Sequence, residues 1–177
     1  DTGIFRVPAA GGPSARILAD GANPQFGADP ARVFVEVSEE QKNKLISVDL
    51  NGGNRRVHAQ GEMVTEYALS PDGRTLLFRE DYNLFATPFY GDVRPLDVSA
   101  RGTGLPVTRV TTNGGTYPTW TTNGRLAWSL GPTFYTAAWE PFDALSTLAP
   151  AATWAVVGAD DLGLIAADAV GAPYPDI

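Results

Sequence analysis

The strongest constraint on this 177-residue chain is a strand–turn–strand unit that occurs three times, at residues 24–35 (PQFGADPARVFV), 67–78 (YALSPDGRTLLF) and 117–128 (YPTWTTNGRLAW). Phe26, Leu69 and Trp120 share one position of the unit, and Phe34, Leu77 and Ala127 another. The turns read Ala-Asp-Pro, Pro-Asp-Gly and Thr-Asn-Gly, and Asp-Gly and Asn-Gly supply the positive φ that a tight hairpin needs. The third copy is one residue shorter before its second strand. A second element repeats out of phase with the first: Ile4-Phe5-Arg6-Val7, Leu45-Ile46-Ser47-Val48, Leu84-Phe85-Ala86-Thr87 and Phe134-Tyr135-Thr136-Ala137 are short β-prone runs. Gly11-Gly12 and Gly52-Gly53 follow the first two and lead into Ala15-Arg16-Ile17-Leu18 and Asn54-Arg55-Arg56-Val57. The third is followed by an excursion from Phe89 to Pro106 before Val107-Thr108-Arg109-Val110.

These runs start 41, 39 and 50 residues apart. Four strands in roughly 40–45 residues is the spacing of a propeller blade. The expected fold is therefore all-β, a partial β-propeller of about three to four four-stranded antiparallel blades. Residues 1–20 supply half a blade, about 21–60 and 61–112 two complete ones, and 113–157 a last, degenerate one with Thr153–Val157 as its outer strand. Residues 158–177, rich in Ala, Gly and Pro, read as a linker or C-terminal tail. Propellers close with four to eight blades because closure hides strand edges. A count this low leaves open faces for missing blades, another chain or a second copy to cover, and Asp1 in first place suggests a piece of something longer.

Composition narrows the chemistry. The net charge is −7, and the densest basic spot is Arg55-Arg56, so the electrostatic footprint of a nucleic-acid binder is lacking. No apolar run approaches the roughly 18 residues of a membrane span. Without cysteine there is no thiolate nucleophile and no cysteine-based metal site, and a single histidine cannot build a His-rich one.

The Ser70-Pro71-Asp72-Gly73-Arg74 turn followed by Leu76-Leu77-Phe78 resembles the TolB-type, WD-like bacterial propeller repeat, over about residues 1–140. A narrower likeness joins Leu45–Gly53, Arg79-Glu80 and Trp128-Ser129-Leu130-Gly131 with Phe134-Tyr135. These are similar to propellers fused ahead of bacterial metal-dependent amidohydrolase domains. In that family zinc and the catalytic carboxylate belong to a barrel after the propeller. The resemblance thus implies no cofactor and no catalytic residue in this chain, with any zinc held downstream. Residues 160–177 look like the linker where such a barrel would begin.

The expected role is a non-catalytic propeller for protein or domain interaction, the accessory N-terminal part of a larger amidohydrolase-like hydrolase. Its partners are then the catalytic domain, the remaining blades, another chain or a second copy. Two alternatives stand: a propeller that gates or completes a peptidase or amidohydrolase site, and a TolB-like adaptor binding a partner protein. The resemblance implies a periplasmic or secreted location.

Residue by residue, most polar groups read as structural. His58 falls at the end of a predicted outer strand and reads as a surface or edge residue. Glu39-Glu40, Glu80-Asp81 and Asp160-Asp161 read as solvated loop charges, since neighbours on a strand face opposite ways. Asp72 and Asn123 are expected to bond to their own turns, and the four tryptophans to pack between blades. No Gly-x-Ser-x-Gly is present, and one histidine must serve every serine. One set is better placed. The innermost strand of each blade lines the central channel, so Asn23, Gln25, Thr65, Glu66, Thr116, Tyr117 and Thr119 are expected to converge on its mouth. Glu66 and Tyr117 are the strongest candidates for contacting a partner.

Overall fold

The computed structural model describes residues 3–91 and 94–139, and the strands at 154–157 and 165–167. Every described element is a strand. β1 (Ile4–Arg6) and β2 (Ala15–Leu18) form a two-stranded antiparallel sheet within the stretch read as half a blade. The next sheet is built from β3 (Ala22–Phe26), β4 (Arg32–Glu39), β5 (Lys42–Asp49) and β6 (Arg56–Gly61), each antiparallel to the one before. β7 (Val64–Leu69), β8 (Thr75–Glu80) and β9 (Asn83–Pro88) repeat the pattern. β10 (Leu96–Asp97) and β11 (Thr108–Arg109) follow. The last sheet holds β12 (Thr116–Trp120), β13 (Leu126–Leu130), β14 (Thr133–Ala137), β15 (Trp154–Val157) and β16 (Ile165–Ala167). The chain is a run of propeller blades, as the repeat predicts.

Period-2 alternation explains how blades stack. In β4, Val33 and Val35 join Ile4, Ile17, Ile46 and Val48 in a core between the half blade and the first full blade. Phe34, one position over, faces the other way, into a core with Leu45, Tyr67, Phe78 and Phe89 between the first and second blades. Leu77, Leu84, Trp128 and Tyr135 fill the third interface. Both faces of these sheets are covered, so β4, β5 and β8 read as nearly continuous buried runs.

Three details differ from the sequence reading. β6 starts at Arg56 rather than Asn54. The Asp49 carboxylate accepts from the Asn51 and Gly53 amides at 2.9 and 2.8 Å and from Asn54 Nδ2 at 2.9 Å, which holds Asn54 in the turn at φ 51. The backbone bond from Gly53 is the chief reason its carboxyl lies below the usual range. The excursion after β9 adds β10 as a fifth strand, parallel to β6, on the outer edge of the preceding blade. Gln60 Nε2 donates to Asp97 at 2.7 Å, and Val98 N to Gln60 O at 2.9 Å. At the other end of the chain, Trp154–Val157 pairs with β14, and Ile165–Ala167, inside the segment expected to be a linker, pairs antiparallel with it.

Two hairpins close without glycine. Glu40-Gln41 between β4 and β5, and Asp81-Tyr82 between β8 and β9, all have positive φ, 53, 62, 47 and 68°. This is the positive φ that a type I′ turn requires, taken at Glu40, Gln41 and Tyr82 by residues that rarely adopt it.

Candidate functional site

Each innermost strand carries one extra residue at the same level. Ala22 to Gln25 spans three steps opposite two on β4, Val64 to Glu66 two opposite one on β8, and Thr116 to Thr119 three opposite two on β13. Such a bulge re-aims side chains at a strand end. Asn23 and Tyr117, at equivalent positions, take φ values of 48 and 53° there.

The three strands wall a cleft of about 610 Å³. Five of the seven expected residues line it: Asn23, Gln25, Glu66, Tyr117 and Thr119. Thr65 and Thr116 do not; their hydroxyls donate to the carbonyls of Arg79 at 3.5 Å and Ser129 at 3.1 Å on the neighbouring strands. Phe26, Pro24, Pro71, Pro118 and Trp120 also line the cleft and were not among the expected residues. Phe26 is 63% exposed and Tyr117 77%, a large uncovered area for aromatic side chains. The repeat alignment already put Phe26 and Trp120 in one position, but Trp120 read, with the other tryptophans, as packing between blades, and Phe26 drew no site reading.

Polar groups at the cleft are mostly engaged with neighbouring blades. Gln25 spans the first interface, donating Nε2 to Tyr67 O at 3.2 Å and accepting from Leu69 N at 2.7 Å. Glu36, 5% exposed, accepts from Tyr67 N at 2.7 Å, and burial raises its carboxyl above the usual range against that bond's opposing effect. Glu66 accepts from Arg79 Nη1 at 3.0 Å and from Tyr117 N at 2.9 Å, so it ties β7, β8 and β12 together. Trp120 Nε1 donates to Ala68 O at 3.1 Å. The cleft thus has a floor cross-bonded between blades, its one acidic lining residue paired with Arg79, and a rim that exposes Phe26, Tyr117, Pro24 and Pro71.

Elsewhere the structure corrects two readings. His58 is not an edge residue: it is 6% exposed, its ring 4.9 Å from that of Phe34 and 5.7 Å from that of Phe89 on the next blade. Arg32 donates to Ser47 Oγ at 2.9 and 3.0 Å, leaving the Ser47 hydroxyl hydrogen for His58 Nε2 at 2.7 Å. The ring proton then sits on Nδ1, which has no partner among the described residues. Burial, aided by Arg32 and Arg56, lowers the imidazole pKa to about 4. Ser47 is fully buried, so this pair meets no substrate. Glu80 is not a solvated loop charge either: it is 6% exposed and accepts from Ser99 Oγ at 3.2 Å and Ala100 N at 2.8 Å, anchoring the excursion. Glu39 and Glu40 are exposed, both ion-paired with Lys44; Asp160-Asp161 lie outside the described residues. Asp72 accepts from Arg74 N at 3.0 Å, as expected, whereas Asn123 accepts from the Thr121 hydroxyl rather than from backbone. Among the described residues no three His, Asp or Glu side chains gather, and no helix is long and apolar enough to cross a membrane.

No protein-family model and no curated protein matches the sequence. Among solved structures, TolB from Acinetobacter baumannii is similar over 92% of this chain, with a TM-score of 0.54 and 14% identity. This chain spans 47% of that one, about half its length. The β-propeller domain of the Trilobed protease from Pyrococcus furiosus, described as having an open velcro topology, aligns with 92% of this chain and 62% of its own at a TM-score of 0.45 and 8% identity. The TolB likeness supports a TolB-like propeller fold.

Proposed function

We propose that these blades form a non-catalytic interaction module and that the cleft between the innermost strands is where a protein partner or neighbouring domain docks. The observation that carries this reading is the pair of exposed aromatics, Phe26 and Tyr117, over one cleft floor where Gln25, Glu66 and Trp120 are already bonded to neighbouring strands. Exposed aromatic anchors on a pre-formed surface are what protein interfaces use. The resemblance to propellers fused ahead of amidohydrolases supports a finer version, in which the partner is a catalytic domain of the same polypeptide. The TolB likeness supports another, an adaptor in the periplasm or beyond. A gating role would place the same residues beside a substrate path. Capture of cell-envelope proteins by the purified chain tests the common element. The wild-type chain should retain a partner at micromolar concentration that the Phe26→Ala/Tyr117→Ala double variant loses. Equal retention by both would remove the cleft from the interface.

A further inference from the structure

Along β7, Tyr67 N, Tyr67 O and Leu69 N are bonded to Glu36 and Gln25 of the preceding blade, and Ala68 O to Trp120 of the following one. The middle of the cleft floor therefore has little main-chain capacity left for an added strand. What it presents is ring surface: Phe26 and Tyr117 exposed and Trp120 part-buried, with Pro24, Pro71 and Pro118 also in the lining. The cleft's only charged lining residue among the described ones, Glu66, is neutralised by Arg79. Outside that lining, just beyond the Val64 end of β7 where Val64 pairs with Glu80, Glu62 and Asp81 are exposed and make no ion pair among the described residues.

We propose that the occupant of this cleft is a proline-rich, extended segment carrying a Lys or Arg at one end. The proposal rests on the reading of the cleft as an interaction site and adds the chemistry of the partner. Polyproline II has no internal hydrogen bonds, and proline has no N–H, so such a segment needs no ladder partner and docks on aromatic-lined grooves. Its uncharged body matches the neutral floor, and a cationic end matches Glu62 and Asp81.

The probe is a fluorescently labelled octaproline peptide with an N-terminal lysine, titrated with the full chain and followed by anisotropy. Saturable binding below roughly 1 mM is expected, weakened at least about tenfold by either Tyr117→Ala or Phe26→Ala. Both side chains are exposed, and unchanged melting curves would show that the variants are folded. A glutamate in place of the peptide's lysine should weaken binding about threefold. Octaproline binding that neither variant affects overturns the proposal. So does binding of a strand-forming Thr/Val peptide with the same lysine in place of octaproline, though loss of that binding in the variants would leave the cleft an interaction site. Silence from both peptides also overturns it, and the capture experiment then decides separately whether the cleft binds a protein.

Discussion

The substitution His58→Gln should remove a large part of the protein's sensitivity to mild acid. In the folded chain the imidazole titrates at about 4, against an ordinary value of 6.5, because burial and the nearby Arg32 and Arg56 oppose its charged form. Between those two values the unfolded chain binds the proton and the folded one does not, so folding weakens as pH falls from about 6.5 to about 4 and levels off below. Each unit is worth about 1.4 kcal/mol, which gives a loss of about 3 kcal/mol at the low plateau. At pH 4.5 the loss relative to pH 7 is about 2 kcal/mol. The amide oxygen of the introduced glutamine can still accept from Ser47 Oγ, and the variant need not equal the wild type in stability at pH 7; what matters is the difference between the two pH values. Buried carboxyls such as Glu36 are common to both proteins, so their contributions cancel in that comparison. In urea, with a slope of about 2 kcal/mol/M, the wild-type midpoint should drop about 1 M further than the variant's on going from pH 7 to pH 4.5. Parallel shifts in the two proteins would refute the argument, because they would mean that His58 is hydrated and titrates alike in both states.

Two other substitutions test the cleft's framework. Glu66→Ala leaves the Arg79 guanidinium, 19% exposed at its side chain, without its carboxylate and frees Tyr117 N, so a loss of about 2 kcal/mol in chemical denaturation is expected, with Glu66→Gln milder. Tyr82→Gly releases a φ of 68° at the cost of the Arg79 guanidinium 6.0 Å above the ring; a net gain of about 0.5 kcal/mol in thermal melts is expected.

The blade register was legible because its punctuation is local. Asp72-Gly73 and Asn123-Gly124 mark turns within a few residues of the apolar runs they join, and each run has the length of one strand. The half blade's β2 was legible for the same reason, whereas β6 was displaced because the Asp49 side chain, acting across a turn, decides where the strand begins. That displacement hid His58, which falls inside β6 and is covered by Phe89 from the next blade. No window along the chain contains both residues at contact spacing. The turns at Glu40-Gln41 and Asp81-Tyr82 carry neither Gly nor Asn, and so gave no signal of the conformation they adopt. At the candidate site, putting the innermost strand of each blade on the channel named Asn23, Gln25, Glu66, Tyr117 and Thr119, all of which line the cleft. The bulge that turns Thr65 and Thr116 away, and the exposure of Phe26, depend on how the strands pair and how blades sit side by side.

The back-pairing of the excursion also sets an order of events during synthesis. Ala59 meets its parallel partner Leu96 thirty-seven residues later in the sequence. At roughly 5–20 residues per second, the outer edge of the first full blade emerges from the ribosome several seconds before the strand that covers it. In that interval the edge of β6 is an open template, and the nearest competitor for it is the same segment on another nascent chain. Translation pauses within residues 61–96 would lengthen this exposure, and fast decoding there would shorten it.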